Sequence, residues 1–211
     1  NSQAINFGYT ASDFNTFVDR CKILNNTIIN TELQAIFLGH VNYGRIKDSV
    51  ISGNIVSNSG HAPYSFFRAE NCSIFNSIAS NFNGSFELCN AKNCFVTNNV
   101  IQKSATGQGI KLTNVSSSTI ANNTVIDNYW HQINLISGCI GNAVVGNIAS
   151  NGTEATATGI KVDDSSSYNN SIVGNTCNNN VKYGFNMGGS ENTVTGNIAV
   201  GNGVNFYTTA P

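Results

Sequence analysis

The phrase Ile120-Ala-Asn-Asn-Thr124 returns through the whole chain at intervals of 22 to 28 residues, and this repeat decides the fold. Each copy has an apolar residue, a spacer, Gly or Asn, Asn, and then Ile, Val or Thr. Six further copies begin at Ile23, Ile51, Val96, Val144, Ile172 and Val194. A weaker copy, Ile74-Phe-Asn-Ser-Ile78, fills the one gap. A fixed period of this length indicates stacked supersecondary units.

A second phrase follows about ten residues after the Asn of each copy, with apolar residues at alternate positions. Examples are Gly109-Ile-Lys-Leu112, Gly159-Ile-Lys-Val162 and Gly184-Phe-Asn-Met187. Alternation with a period of two predicts a strand with one buried face. Two or three short strands per repeat, turned at Asn and Gly, predict an all-β, single-stranded parallel β-helix. About eight coils at roughly 4.8 Å each make a solenoid about 40 Å tall.

The Asn residues of the repeat fall in one column of the stacked coils, with Ser77 in the weak copy. Buried amides stacked in this way are expected to form a hydrogen-bonded ladder. Cys21, Cys72 and Cys94 share another position, five residues before the ladder residue of their coils. This favours an internal column of small, reduced thiols, with a disulfide between Cys72 and Cys94 left open. No Cys-x-x-Cys pair or nearby His predicts a metal site, and we expect no cofactor.

Composition narrows the class of protein. The chain has 211 residues, a formal net charge of −1 and only 10% charged residues. This predicts a single domain without an electrostatic preference for nucleic acid. No apolar run approaches the length of a membrane span, so no membrane insertion is expected.

The two ends of the chain predict an incomplete solenoid. Residues 1–20 are expected to form a partial coil and an N-terminal turn or cap, with one strand at Ala4-Ile-Asn-Phe7. Phe14, Phe17 and Val18 suggest a long turn or a short helical flap. Residues 21–211 form the β-helix. We expect the sequence to be excised from a longer chain, because a bare last coil offers free strand edges.

With these repeats, the chain from Ala4 to Phe206 resembles the right-handed parallel β-helix proteins of the pectate-lyase-like class. That class includes pectate lyases, polygalacturonases, alginate epimerases and the central domains of bacteriophage tailspikes. The chain lacks the multi-Asp signature of the polygalacturonases and the motif of the alginate epimerases, so it is closest in character to tailspikes. The resemblance implies a polysaccharide partner, side-by-side homotrimers, and a virion-tail or extracellular location.

The turn between the two phrases is the first candidate site. With coils counted from the Ile23 copy, this turn contains Tyr129, Trp130 and His131 in coil five, His61 and Tyr64 in coil two, and Lys182 and Tyr183 in coil seven. Aromatic rings among imidazoles and amides suit sugars, whose C–H faces stack on rings and whose hydroxyls need fixed partners. The alternative is that these rings cover a coil edge or pack on a neighbouring subunit.

The middle residue of the second strand forms another outward column, which includes Glu87, Lys111 and Lys161. The simpler interpretation is a solvated face with a cross-strand ion pair between Glu87 and Lys111. The functional interpretation is a polar groove that holds a polysaccharide lengthwise through Lys111 and Lys161.

Two carboxylates, Asp127 and Glu154, occupy turns of adjacent coils and are the candidate catalytic pair. Hydrolysis of a glycosidic bond needs two carboxyl groups, about 5–5.5 Å apart for retention and 6.5–9.5 Å apart for inversion. The leading hypothesis is therefore an endo-acting glycosidase of tailspike type that cleaves a bacterial surface polysaccharide. The alternatives are a non-catalytic glycan-binding or structural solenoid, and a polysaccharide lyase that uses His, Lys or Tyr as its base.

Overall fold

The computed structural model describes residues 4–7, 17–39 and 44–208, which form 28 short strands and no helix. The strands are numbered in chain order. Every pairing between them is parallel, and each strand pairs with its counterpart in the next coil. The chain is a parallel β-helix of about eight coils, as the repeat predicts, and it is right-handed, as the resemblance implies.

Three long sheets make the walls of the solenoid, and each coil passes through sheets I, II and III in turn. Sheet I contains β3 (Lys22–Leu24), β7 (Val50–Ser52), β11 (Ser73–Phe75), β14 (Phe95–Thr97), β17 (Thr119–Ala121), β20 (Ala143–Val145), β23 (Ser171–Val173) and β26 (Thr193–Thr195). Sheet II contains β4 (Thr27–Thr31), β8 (Ile55–Ser59), β12 (Ile78–Phe82), β15 (Val100–Ser104), β18 (Thr124–Ile126), β21 (Ile148–Ser150), β24 (Thr176–Asn178) and β27 (Ile198–Val200).

Sheet III has nine strands, because it begins with a strand that precedes the first complete coil. Its members are β1 (Ile5–Phe7), β5 (Ile36–Leu38), β9 (Tyr64–Phe67), β13 (Phe86–Cys89), β16 (Ile110–Thr113), β19 (Ile133–Ile136), β22 (Thr158–Val162), β25 (Tyr183–Met187) and β28 (Val204–Thr208). A small sheet of β2 (Phe17–Asp19), β6 (Arg45–Lys47) and β10 (Ala69–Glu70) lies between sheets III and I.

The N-terminal prediction is partly corrected. Ile5–Phe7 is a strand of sheet III, as expected. Phe17 and Val18 belong to β2 and pair with Arg45 and Ile46, so they form a strand and not a helical flap. The pairing supplies the backbone hydrogen bonds that a helix would otherwise provide. Phe14 lies outside the described residues.

The predicted asparagine ladder is present at the corner between sheets I and II. The backbone N–H and the side-chain Nδ2 of Asn123 both donate to Oδ1 of Asn147, each at 2.9 Å. Asn123 Nδ2 also donates to the carbonyl of Val96 at 2.8 Å. These bonds satisfy polar groups that are otherwise costly to bury. Ser77 takes the same place with its hydroxyl, which accepts from the Asn54 amide at 3.2 Å.

The cysteine column continues as a second ladder in the later coils. Cys72 and Cys94 are fully buried free thiols on adjacent coils. Two coils after Cys94, Asn142 occupies the same column, and its Nδ2 donates to Asn170 Oδ1 at 3.0 Å. A third polar column, at the corner between sheets II and III, ends in a bond of 3.0 Å from Asn180 Nδ2 to Asn202 Oδ1. The core between these columns is filled by Ile, Val, Leu and Phe.

Candidate functional site

A cavity of about 240 Å³ opens on the outer surface of sheet III, beside the turns that enter it from sheet II. Coils five, six and seven all contribute to it. Its lining consists of Trp130, His131, Thr156, Thr158, Lys161, Lys182, Tyr183 and Asn186. Three residues predicted from the sequence, Trp130, His131 and Lys161, therefore lie together.

Trp130 is held in place from the neighbouring coil. Its indole Nε1 donates a hydrogen bond to Thr156 Oγ1 at 2.9 Å. The Thr156 hydroxyl in turn donates to Glu154 Oε2, and the Thr156 amide donates to the same oxygen at 2.7 Å. The indole stays 40% exposed and its ring centroid lies 4.9 Å from that of His131. A fixed, half-exposed indole is suited to stacking on a flat ligand.

His131 is only 3% exposed, and within the described part of the chain its Nδ1 has no hydrogen-bond partner. Burial, helped by the positive charge of Lys161, lowers the pKa of His131 to about 4. The ring is therefore neutral near pH 7 and offers one donor and one acceptor. Oδ1 of Asn134, one coil from Lys161 in the same column, is also buried without a partner among the described residues.

Two lysines bring positive charge to the cavity, whose lining contains no carboxylate. Lys161 Nζ lies 2.7 Å from Asp163 Oδ1, which is outside the lining. Lys182 Nζ lies 5.0 Å from the centre of the Tyr183 ring. The Tyr183 ring is stacked on Tyr207 of the last coil, with centroids 4.7 Å apart. The arrangement combines cations and aromatic faces, as recognition of an anionic sugar requires.

Lys111 is outside this cavity. It lies two coils from Lys161 in the outward column, with Asn134 between them. Its Nζ is 3.5 Å from Glu87 Oε1, so the predicted cross-strand ion pair is confirmed. Lys111 is about 10 Å from Lys161 along the solenoid, because two strand spacings separate them.

Asp127 and Glu154 do not line the cavity, and they occupy different positions in the turns of their two coils. Asp127 sits at a corner with φ 57°, where its Oδ1 accepts from Asn151 Nδ2 at 2.9 Å. Glu154 lies beside Tyr129, whose carbonyl accepts from the Glu154 amide at 2.7 Å. The hydrogen bonds from Thr156 lower the pKa of Glu154. A general acid needs the opposite shift, so Glu154 is suited to the role of base, nucleophile or positioning group.

Three other predicted residues are placed apart from the cavity. The prediction that Tyr64 contacts the sugar is wrong. Tyr64 is fully buried in the core, and its hydroxyl donates to the Asn54 carbonyl at 3.3 Å. It cannot reach a sugar on the surface, because strand alternation turns Tyr64 inward and Ser65 outward. His61 is exposed in the turn of coil two, three coils or roughly 14 Å from Trp130. Tyr129 is 44% exposed next to Trp130 but does not line the cavity.

Sequence comparison places the chain in a family. Residues 46–211 match the family model described as "Periplasmic copper-binding protein (NosD)", which is most of the chain. The chain belongs to the NosD family. No curated protein matches this NosD-family sequence.

Solved structures share the fold of this NosD-family chain at low sequence identity. The A-module of the Azotobacter vinelandii mannuronan C-5 epimerase AlgE6 is 16% identical over 89% of this chain, with a TM-score of 0.53. The tailspike of E. coli bacteriophage HK620, solved with a pentasaccharide, is 15% identical over 85%, with a TM-score of 0.59. The periplasmic alginate epimerase AlgG is 13% identical over 95%, with a TM-score of 0.55. The chain spans 63%, 38% and 57% of these three structures, respectively.

Copper is named in the family description, and the described residues do not fit a copper centre. Copper sites use thiolate, thioether and imidazole ligands. Within residues 4–7, 17–39 and 44–208, no three His, Cys, Asp or Glu side chains are grouped so that they can share a metal ion. Cys72 and Cys94 are adjacent, but each Sγ is directed at a backbone carbonyl, at 3.3 Å and 3.4 Å. Among the same residues there is no helix of the length and apolarity needed to cross a membrane.

Of the remaining lining residues, Lys182 and Tyr183 fall in the same turn as Trp130 two coils later, and Asn186 belongs to the outward column of Lys161, so the sequence pattern indicates all three. Thr156 and Thr158 are the lining residues that the sequence does not indicate, since Thr is frequent throughout this chain.

Proposed function

We propose that this protein binds an anionic polysaccharide on the outer surface of sheet III, with one sugar unit in the Trp130 cavity. The observation that carries the proposal is the lining itself, which has two lysines, a neutral histidine and two large aromatic rings, and no carboxylate. Lys161 already pairs with Asp163, but Lys182 has no carboxylate partner among the described residues. A uronate would supply one, whereas a neutral sugar would not.

Each group has a role in this proposal. Trp130 and Tyr183 offer ring faces for the C–H surfaces of the sugar. Lys161 and Lys182 bind the carboxylate, and the polar lining residues Thr158 and Asn186 offer hydrogen bonds to hydroxyl groups. Lys111 is placed to meet a carboxylate about 10 Å further along the polymer. The polymer then runs along the solenoid axis, across successive coils.

The comparisons support the class of ligand. The names of two structural neighbours specify saccharides, mannuronan for one and a pentasaccharide for the other. By the same argument we propose a location in the periplasm or outside the cell, in keeping with the description of the NosD family. From the resemblance to tailspikes we further propose a virion-tail location and a homotrimer.

Isothermal titration calorimetry with purified oligomannuronate, oligogalacturonate and neutral cello-oligosaccharide tests the proposal. We expect an acidic oligosaccharide to bind at least about tenfold more tightly than the neutral one. Lys161→Ala and Lys182→Ala should each reduce that affinity, and Lys92→Ala, which removes a lysine near the small sheet, should not. Equal affinity for acidic and neutral ligands, or binding that ignores both lysines, would contradict the proposal.

Cleavage is a second candidate, favoured by the ionised Glu154 next to the cavity. As an endo-acting glycosidase, the protein would use Asp127 and Glu154 as acid and base or nucleophile. As a lyase, it would use His131 or a lysine to remove the proton α to the uronate carboxylate while the glycosidic C–O bond breaks. The low pKa of His131 makes it a weak base near pH 7, and Lys161 is engaged in an ion pair with Asp163, so binding is better supported.

One assay separates these reactions. Hydrolysis releases reducing ends alone, whereas elimination also produces the ultraviolet absorbance of an unsaturated uronate. Glu154→Gln and Asp127→Asn should each abolish a hydrolase activity and leave a lyase activity in place. Neither signal from a folded protein that binds the oligosaccharide would identify a binding module.

A further inference from the structure

A second cavity, of about 520 Å³, lies over the small sheet at the corner between sheets III and I. Three successive coils contribute to it, and its lining consists of Arg45, Arg68, Ala69, Glu70, Asn90 and Lys92. It shares no lining residue with the Trp130 cavity and borders the opposite margin of sheet III, beyond the ends of β9 and β13. Three cations against one carboxylate leave the lining with a formal excess of two positive charges.

The carboxylate of this lining belongs to a column whose charges cancel. The members of the column pair in register on successive coils: Asp19, Lys47, Glu70 and Lys92. Negative and positive side chains therefore alternate along the solenoid at the strand spacing of about 4.8 Å. Opposite charges at cross-strand positions attract each other, and Glu70 has a lysine on either side. The four charges sum to zero, so the excess in the cavity comes from the neighbouring column.

The neighbouring column sets two guanidinium groups side by side. The register of β6 and β10, extended by one residue, places Arg68 opposite Arg45, one strand spacing away. Along the described part of the chain, the flanking members of this column are Phe17 and Asn90, and neither is a carboxylate. Like charges at facing cross-strand positions destabilise a sheet, and an anion bound between them would offset that repulsion.

The backbone at Arg68 has a conformation that arginine seldom adopts. Its φ is 54°, and the equivalent residues of the next two coils, Asn90 and Asn114, have φ 54° and 52°. Left-handed backbone crowds the Cβ of most residues, and Asn tolerates it better than Arg does. The turn alone favours Asn at this corner, so the arginine is explained by what its guanidinium group does.

Asn90 adds a hydrogen-bond donor to the same cavity. At this corner Asn114 Nδ2 donates to Asn90 Oδ1 of the coil before it, at 2.7 Å. Asn90 cannot repeat that bond, because the preceding side chain of the column is Arg68, which only donates. Asn90 Nδ2 therefore has no partner within the residues that the structure describes. The polar groups that line the cavity, apart from Glu70, thus offer N–H donors.

We propose that this cavity binds a dianionic phosphate group, either free or as a monoester, through Arg45, Arg68, Lys92 and the side-chain amide of Asn90. A phosphate monoester carries a charge of about −1.5 to −2 at pH 7, which matches the excess of two positive charges. Its three terminal oxygens accept the paired N–H groups of guanidinium forks, which hold such oxyanions at two points. A sulfate monoester has the same shape but a single negative charge, so it matches the cavity less well. This site is additional to sugar binding at Trp130 and does not depend on it.

Isothermal titration calorimetry with glucose 6-phosphate and glucose 6-sulfate tests the charge match. We expect the phosphate ester to bind at least about tenfold more tightly than the sulfate ester. Inorganic phosphate then separates the two sources of the group. Weaker binding of inorganic phosphate than of glucose 6-phosphate would assign the site to an ester, and equal or tighter binding would assign it to the free anion. Equal affinity for the phosphate and sulfate esters would overturn the proposal.

Arg68→Asn tests the residue that the proposal depends on most. Asn suits φ 54°, so the variant should unfold at the wild-type urea midpoint or slightly above it, while its affinity for glucose 6-phosphate falls at least about tenfold. Lys103→Asn is the matched control, because Lys103 has φ 60° at a corner outside this cavity, and it should bind as the wild type does. Oligomannuronate binding by Arg68→Asn should equal that of the wild type, so failure of this site and failure of sugar binding are distinguishable. Wild-type affinity of Arg68→Asn for glucose 6-phosphate would contradict the assignment.

Discussion

The indole Nε1 of Trp130 donates to Thr156 Oγ1 across a coil boundary, at 2.9 Å. Thr156 is itself fixed by Glu154, so a carboxylate at the edge of the cavity orients an aromatic ring inside it. Glu154 thus orients Trp130 without taking part in a reaction. The cavity depends on residues from three coils.

Replacing Thr156 by Val keeps its shape and removes the hydroxyl that holds Trp130. We expect affinity for the acidic oligosaccharide to fall about threefold to tenfold, because one hydrogen bond contributes about 0.5–1.5 kcal/mol. Trp130 is the only tryptophan of the chain, so its fluorescence reports the change directly. Thr153→Val, in the same turn, is the matched control. An unchanged emission spectrum together with unchanged affinity would show that the bond is not needed.

Trp130→Ala should remove the stacking face with little effect on stability. The indole is 40% exposed, so its loss costs the fold little, whereas aromatic stacking contributes about 0.5–1.5 kcal/mol to binding beyond burial. We expect a fall in affinity of about tenfold and a nearly unchanged urea midpoint. Tyr129→Ala removes an equally exposed neighbouring ring outside the lining and should bind normally. Equal losses for the two variants would place the sugar along the turn and not in the cavity.

Acid should weaken the fold through His131. Its folded pKa of about 4 is below the unfolded value of about 6.5, so between these pH values the unfolded state binds a proton that the native state does not. Stability is therefore complete above pH ~6.5 and falls by roughly 3 kcal/mol as the pH drops to ~4. Urea unfolding at several pH values measures the slope.

His131→Gln is the control for this pH dependence. The variant should lose most of the slope between pH ~4.5 and ~6.5. Glu154 and Asp164, whose pKa values are lowered, contribute stability that is lost only at lower pH. A variant with the wild-type slope in this window would assign the dependence to other groups.

Asn123→Ala removes one rung of the ladder at the corner of sheets I and II. It leaves the Asn99 amide and Asn99 Nδ2 without their shared acceptor and the Val96 carbonyl without its donor. Each unsatisfied buried group costs about 1–3 kcal/mol, so we expect a loss of roughly 3–4 kcal/mol in the free energy of unfolding. Urea denaturation measures it. Asn123→Ser should cost less, because Ser77 fills the same column in coil three.

Asn122→Gly tests the specificity of that effect. Asn122 is exposed beside the rung and has φ 55°, which glycine adopts without strain. Its replacement should change stability by less than about 1 kcal/mol. A comparable loss at both positions would indicate a general effect of the turn and not of the buried amides.

The fold was predictable because every coil repeats the same sequence pattern. The ladder phrase fixes the buried corner, and alternation in Gly159-Ile-Lys-Val162 fixes the strand that follows. The same rule places Ser65 outward and therefore Tyr64 inward, so the core position of Tyr64 was available from its neighbours. The change of the cysteine column to Asn142 and Asn170 follows from the five-residue offset between columns.

The site was harder to predict because it lies where the repeat fails. Trp130 and Lys161 stand out as breaks in the pattern, and both line the cavity. The turn of coil six has a different length from that of coil five. The sequence therefore does not show whether Asp127 and Glu154 occupy equivalent positions. Thr156 became part of the site only through its bond to Trp130, a contact between coils that no local pattern encodes.

The three internal columns recur five residues apart in each coil, for example at Asn170, Asn175 and Asn180. An asparagine rung such as Asn175 donates from its amide N–H and Nδ2 to the coil after it, and its Oδ1 accepts the same two bonds from the coil before it. A gene for this solenoid can therefore lengthen or shorten by duplication or deletion of 22 to 28 codons, wherever the break falls, without a new core. Evolution can set the length of such a protein independently of the few coils that carry its binding site.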